Sequence, residues 1–214
     1  MQLYSSLVLL VLIQFRSLSC DEDELGTGQV QEDNRSAMHF NSVTTSAIIG
    51  NDAFFEITDP PSLGYTYRIR PAKDFGRGFN ELKLQQVRLI PTVPENGCSF
   101  FKNSKKMKGH VALVDRGDCT FQKKALYAQM AGAKVILVTE NNVSSPEFDY
   151  YIEMVHDNSS SDPNIPAAFL LGKNGLIIKE TLKKLKRSYA VINLPQNLTF
   201  VPAYTINHPP WLSL

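Results

Sequence analysis

The sequence predicts an α+β fold, mostly β, in the form of a β-sandwich or open barrel with one βαβ crossover and two flanking helices. Two continuously apolar runs, Val111-Ala112-Leu113-Val114 and Val135-Ile136-Leu137-Val138, have the composition of strands covered on both faces. Between them lies a segment of helical periodicity opened by a tight turn, the pattern of a crossover between parallel strands. Short β-rich runs separated by turn residues make up most of the remainder.

In chain order, residues 3–15 are almost wholly apolar and are followed by Ser17-Leu18-Ser19, small residues of the kind signal peptidase accepts. The stretch is too short to span a bilayer and reads as a signal peptide over 1–19. Residues 20–50 read as a disordered acidic and polar leader. Positions 21–34 hold six acids (Asp21, Glu22, Asp23, Glu24, Glu32, Asp33) and no Lys or Arg, too little apolar area to offset ordering entropy. Residues 51–200 form the expected domain and 201–214 a Pro-rich C-terminal tail. Strands are expected at 54–58, 65–69, 86–90, 111–115, 135–139, 167–171 and 189–194. One helix is expected at 120–131, with Phe121, Ala125 and Ala128 on one face and Gly132 as its stop. A second is expected at 174–187, with Asn174 as N-cap, Ile178, Leu182 and Leu185 on one face, and basic residues at its C-terminal end.

Charge and cysteine content bound the class. Positions 35–214 carry 21 basic and 15 acidic residues, a net +6, much of it in Lys102-Lys105-Lys106-Lys108 and Lys183-Lys184-Lys186-Arg187. Such clusters bind polyanions such as glycosaminoglycans, or form solvated faces. If Cys20 leaves with the signal peptide, Cys98 and Cys119 remain, an even number in an oxidising compartment. A bridge between them would contribute about 3 kcal/mol on the chain-entropy view. The alternatives are two free thiols or, with Cys20 retained, a thiol available for pairing between chains. Asn34, Asn142, Asn158 and Asn197 each open an Asn-x-Ser/Thr sequon, so a secreted glycoprotein with at least two occupied sites is expected. No later run is apolar enough to span a membrane.

The central unit carries a resemblance. Arg116-Gly117-Asp118-Cys119-Thr120-Phe121, followed by Ala131-Gly132-Ala133 and later by Ile165-Pro166-Ala167, resembles the protease-associated (PA) domain over roughly 65–195. Pro71-Ala72-Lys73-Asp74-Phe75-Gly76, Phe169-Leu170-Leu171-Gly172, Asn197-Leu198-Thr199 and Pro209-Pro210-Trp211 resemble a stand-alone secreted member of that family; the long acidic leader departs from that pattern. The resemblance implies a β-sandwich or open barrel that serves as an interaction module or a lid over a peptidase site. It also implies that Arg116 pairs with a carboxylate to hold its turn.

Catalytic chemistry finds little support in the residues. The four histidines (His39, His110, His156, His208) show no metal-ligand spacing, and neither a nucleophile elbow nor a phosphate-cradling glycine loop is present. No enzyme activity, cofactor, metal or nucleic acid is expected. The expected function is a secreted, monomeric module that binds an unidentified extracellular or secretory-pathway protein or peptide. The alternatives are a peptidase-associated accessory with a degenerate hydrolase site, or an integrin ligand acting through Arg116-Gly117-Asp118. The candidate surface is the loop 141–163, whose Phe148, Tyr150 and Tyr151 stand among Glu147, Asp149 and Glu153, together with Arg116 and Asp118. The competing reading tucks Tyr151 and Met154 beneath the domain as a satellite core.

Overall fold

A computed structural model describes residues 51–159 and 161–212. The expected signal peptide, the acidic leader and the Asn34 sequon lie outside the described residues. Seven strands form a closed barrel: β1 (Ala53–Asp59), β2 (Thr66–Pro71), β3 (Leu84–Pro91), β4 (Val111–Asp115), β5 (Val135–Thr139), β6 (Ala167–Leu170) and β7 (Ala190–Leu194). Their order is β1-β2-β6-β5-β4-β3-β7, closed by the antiparallel pairing of β1 with β7. The expected α+β, mostly β architecture is what forms, and closure leaves no free sheet edge. The crossover is also present. β4 and β5 pair in parallel from Val111↔Val135 to Asp115↔Thr139, and the helix α1 (Phe121–Met130) connects them.

Alternation along the central strands builds two cores. Val111, Leu113, Val135, Leu137, Ala168 and Leu170 join one buried cluster, whereas Ala112, Val114, Ile136, Val138, Ala167 and Phe169 join a second on the opposite face. Successive side chains point to opposite sides of a strand, so continuously apolar strands need cover on both. α1 covers the second cluster with Ala125 and Ala128, whose small side chains permit close contact. The helix α2 (Gly172–Lys184) contributes Ile178 and Leu182 to the first.

The helix ends show how each is held. Thr120 caps α1 by accepting from the Lys123 amide at 3.2 Å. At its other end Gly132 takes φ +82° while Ala133 N–H donates to Ala128 O and Gly132 N–H to Gln129 O, the double bond of a Schellman ending. α2 corrects one expectation. Its N-cap is Leu171, with no side-chain hydrogen bond, and Asn174 lies buried inside the first turn. Asn174 Oδ1 there accepts from the Trp211 indole at 2.8 Å. The segment expected as a tail therefore returns to the barrel. Trp211 meets Tyr65 edge-on at 5.4 Å, and Thr66 N–H donates to Asn207 O at 2.8 Å. Among the described residues no helix is long and apolar enough to cross a membrane.

Candidate functional site

The carboxyl ends of β4 and β5 open into a polar groove of about 680 Å³, walled by the turn at Glu95 and Asn96, the turn at Arg116–Asp118, and Glu140–Asn142. Strand ends in parallel pairing carry loops whose backbone is released from the ladder, so a polar cleft forms there. Gly117 (φ +99°) and Asp118 (φ +64°) both occupy the left-handed region, and this reverses the chain within two residues. Cys119, immediately after the turn, is disulfide-bonded to Cys98. Asp118 accepts from Asn96 Nδ2 at 2.7 Å, tying the turn to the opposite wall.

Most charged groups of the groove are engaged within the protein, with the acids Glu95, Asp115, Asp118 and Glu140 outnumbering the bases. Arg116 donates its backbone N–H to Thr139 O at 2.8 Å, and its guanidinium bonds buried Glu140 at 2.8 Å, with Glu147 at 3.7 Å. Glu140 also accepts from the amides of Asn141 and Asn142 at 3.0 and 2.9 Å. Buried Asp115 pairs with Lys179 of α2 and accepts from Asn141 Nδ2 at 3.2 Å. The hydrogen bond from Ser145 holds the Glu147 carboxyl below its ordinary value, helped by the Arg116 charge. Under the turn lies Lys124, fully buried, whose ammonium donates to Gly117 O at 2.6 Å and to Asn96 O. Burial pushes Lys124 down to about 8, against the pull of Asp118 and Asp115 toward the charged form.

The loop 141–163 divides its aromatic residues. Phe148 is 8% exposed and lies against Gly172, where an added Cβ would stand 2.7 Å from its ring. Tyr151 is half-buried: Arg68 and Arg70 stack on its ring at 5.1 and 5.2 Å, its hydroxyl donates to Arg68 O at 3.3 Å, and burial raises its pKa to about 12. Tyr150 alone of the three is open to solvent, at 69%. The expected three-ring rim is thus a single exposed ring. The short helical turn Pro146–Asp149 aims Phe148 inward and commits Tyr151 to the arginines of β2. Met154 enters the second core. Farther on, His156 lies 3.1 Å from Asp162, and Asp157 accepts from Thr120, which draws its pKa down to about 2. The adjacent His156 and Asp157 thus face different partners.

Asn142, Asn158 and Asn197 are exposed. In Asn142 and Asn197 the side-chain carbonyl accepts from the amide two residues on, at 3.0 and 3.1 Å. Among the described residues no group of three or more His, Cys, Asp or Glu is placed to hold a metal ion. Lys124 beneath the groove, and Glu140 and Asp115 within it, are not among the site residues expected from the sequence. A signal for the first existed, since Lys124 shares the helix face of Ala128, four residues on, and so points toward the sheet. Glu140 and Asp115 directly follow or end apolar strands, where an acid is positioned by the strand itself.

Residues 85–178 match the PA domain. A PRADC1-like protein of Drosophila melanogaster is 57% identical over 170 residues, covering 79% of this chain and 86% of that protein. ER degradation-enhancing alpha-mannosidase-like protein 3 of Homo sapiens is 30% identical over 131 residues, 60% of this chain but only 14% of that protein. Among solved structures, BSAP, a zinc aminopeptidase from Bacillus subtilis, aligns over 75% of this chain and 36% of its own, with 19% identity and a TM-score of 0.42. On the strength of the long match to the PRADC1-like protein, the chain belongs to the PA domain family.

Proposed function

We propose that this protein is a secreted, glycosylated interaction module without catalysis of its own, and that it binds a protein or peptide partner across the groove at the carboxyl ends of β4 and β5. The observation that carries the reading is that the principal charged groups of that groove already have partners within the protein. Arg116 is matched by Glu140, and Asp115 by Lys179, while Lys124 is spent on backbone carbonyls. What remains open to a ligand is the Asn141 edge of the groove, with Tyr150 the exposed ring on the loop that follows, suited to recognition by hydrogen bonding and contact. Secretion is supported by the apolar run 3–15, by the Cys98–Cys119 bridge, and by three exposed sequon asparagines.

A catalytic reading would look to Lys124, the lysine beneath the groove that burial pushes down to about 8. Its nitrogen is buried with its hydrogens aimed at Gly117 O and Asn96 O, so no substrate atom reaches it. The integrin reading is disfavoured because Arg116 is held by Glu140 and Asp118 by Asn96.

Photo-crosslinking residues placed at Asn141 and Tyr150 of the secreted protein should capture the same partner, and one placed at Lys83 should not. Equal capture at all three positions sinks the groove assignment. Turnover of broad peptidase or esterase substrates above a boiled control sinks the non-catalytic reading.

A further inference from the structure

Two segments that pack against each other carry charge of one sign only. Residues 96–114 hold Lys102, Lys105, Lys106 and Lys108 without an Asp or Glu, and residues 119–139 hold Lys123, Lys124 and Lys134, again without one. The fold brings them together as a single layer over the second core. Gly109 N–H donates to Gly132 O at 2.9 Å and Lys134 N–H to His110 O at 2.8 Å. Met107 is buried in the same cluster as Ala125 and Ala128, and Phe100 meets Tyr127 edge-on at 5.4 Å. Lys108 passes so close to the end of α1 that its Cα lies 3.3 Å from where a Cβ on Gly132 would stand. Lys124 turns inward; the other six lysines are exposed and enter no ion pair among the described residues.

The second basic cluster, at the end of α2, is built differently. Its Arg187 pairs with Asp59 and stacks over Tyr189 at 5.8 Å, and Glu180 lies one turn before Lys184. Similar basic composition in the sequence therefore yields a partly neutralised patch there, whereas Lys102, Lys105, Lys106, Lys108, Lys123 and Lys134 enter no ion pair among the described residues.

We propose that the face formed by residues 98–109, α1 and Lys134 binds a sulfated polysaccharide of the heparin class. Six ammonium groups without internal counterions attract a polyanion strongly. All six are lysines, point charges on flexible stems. A site for one carboxylate or phosphate would call for the planar fork of an arginine or a cradle of backbone amides, and the exposed charges of this face include neither. Repeated anionic groups along an extended chain match such a surface. The proposal rests on the secreted reading, which gives the protein access to such chains, and it uses a face other than the partner groove.

The test is retention of the full secreted chain on immobilised heparin, with desulfated heparin as control. Elution should require salt well above the roughly 0.15 M at which weak surface charge is screened. K105Q/K106Q/K108Q should weaken affinity by about tenfold or more, whereas K183Q/K184Q/K186Q, which removes the same charge, should change it less than about twofold. Asn141→Ala, which alters the groove without changing charge, should leave retention unchanged, so a failure of the groove and a failure of this face are told apart. Equal losses from the two lysine triplets would overturn the proposal by reducing it to net charge. So would binding to desulfated heparin, or tighter binding to phosphatidylserine vesicles than to heparin. Retention that appears only after Asp21, Glu22, Asp23, Glu24, Glu32 and Asp33 are neutralised would overturn it in favour of the acidic leader as occupant.

Discussion

The two helices are fixed to opposite faces of one sheet by different physics. α1 is tied at its first turn by polar and covalent bonds: the Thr120 cap, the Cys98–Cys119 bridge just before it, Lys124 reaching two carbonyls, and Gln122 bonding Asp162 at 2.9 Å and Ser161 O at 2.8 Å. α2 has no side-chain cap; besides the Lys179–Asp115 pair and the Trp211 bond to Asn174, its first turn is held by close approach. A Cβ on Gly175 would fall 2.0 Å from Thr139 Oγ1, and one on Gly172 would fall 2.7 Å from both the Phe148 ring and its carbonyl. The difference shows where each region can tolerate change. Fixing an exposed turn takes bonds, since little apolar surface is available there, and the groove stands on that turn. Fixing a buried helix takes shape, and any added volume is felt.

The largest effect is expected at the bridge. Cys119→Ser should cost about 3 kcal/mol, within the usual 2–5 kcal/mol for a native disulfide in a small domain, and should lower secreted yield. Urea unfolding with and without reductant reads it: the wild type should lose comparable stability on reduction and the variant none. If both sulfurs of the native chain are alkylated without reductant, the tie assigned to α1 does not exist.

On the other face, Gly175→Ala should destabilise by about 2–3 kcal/mol, because Thr139 belongs to a central strand and cannot retreat freely. Pairing it with Thr139→Gly should restore part of the loss, although the glycine itself weakens β5. Absence of any coupling between the two substitutions would mean that α2 is not held by close approach.

Lys124→Met sharpens the account of the turn. It should cost about 1–3 kcal/mol at neutral pH, since the carbonyls of Gly117 and Asn96 lose their donor. Its pH dependence has a definite sign. Lys124 sits at about 8 in the fold against 10.5 ordinarily, so between those values the unfolded chain binds a proton that the folded chain has released. Wild-type stability should therefore rise with pH across that window relative to the variant. Parallel curves from pH 7 to 10.5 would show that burial does not depress this lysine.

The smallest effect concerns the other contact at the start of α1. Asp157, drawn to about 2 from 3.8 chiefly by its bond from Thr120, contributes stability that is present above about pH 4 and lost as pH falls toward 2. Asp157→Asn should remove a shallow acid-side slope in the urea midpoint between pH 2 and 5. A slope identical to the wild type would leave the contact without energetic weight.

Much of the fold was legible in the sequence. The runs at 111–115 and 135–139 coincide with β4 and β5 because a strand buried on both faces has no polar position to blur its ends. The end of α1 was legible too, since Gly132 takes a conformation few other residues adopt at low cost. Arg116-Gly117 with Cys119 marked the turn on which the groove is built. The start of α2 was misplaced because Asn174 has the chemistry of a cap, while the helix begins two residues earlier at a glycine selected by close approach to Phe148 and Glu140. That requirement involves a strand and a turn remote in sequence, and no local pattern records it.

Local periodicity and residue chemistry were enough for the strand–helix–strand unit, the two candidate cysteines, the sequons and the sign of each charge cluster. Where charges and rings point was set by long-range packing. That packing sent Lys124 inward and Lys123 outward, engaged Arg116 with Glu140, buried Phe148 while exposing Tyr150, and returned Trp211 to the barrel. The physical reason is that burial and pairing depend on which distant segments meet, and sheet closure through β1 and β7 fixes those meetings.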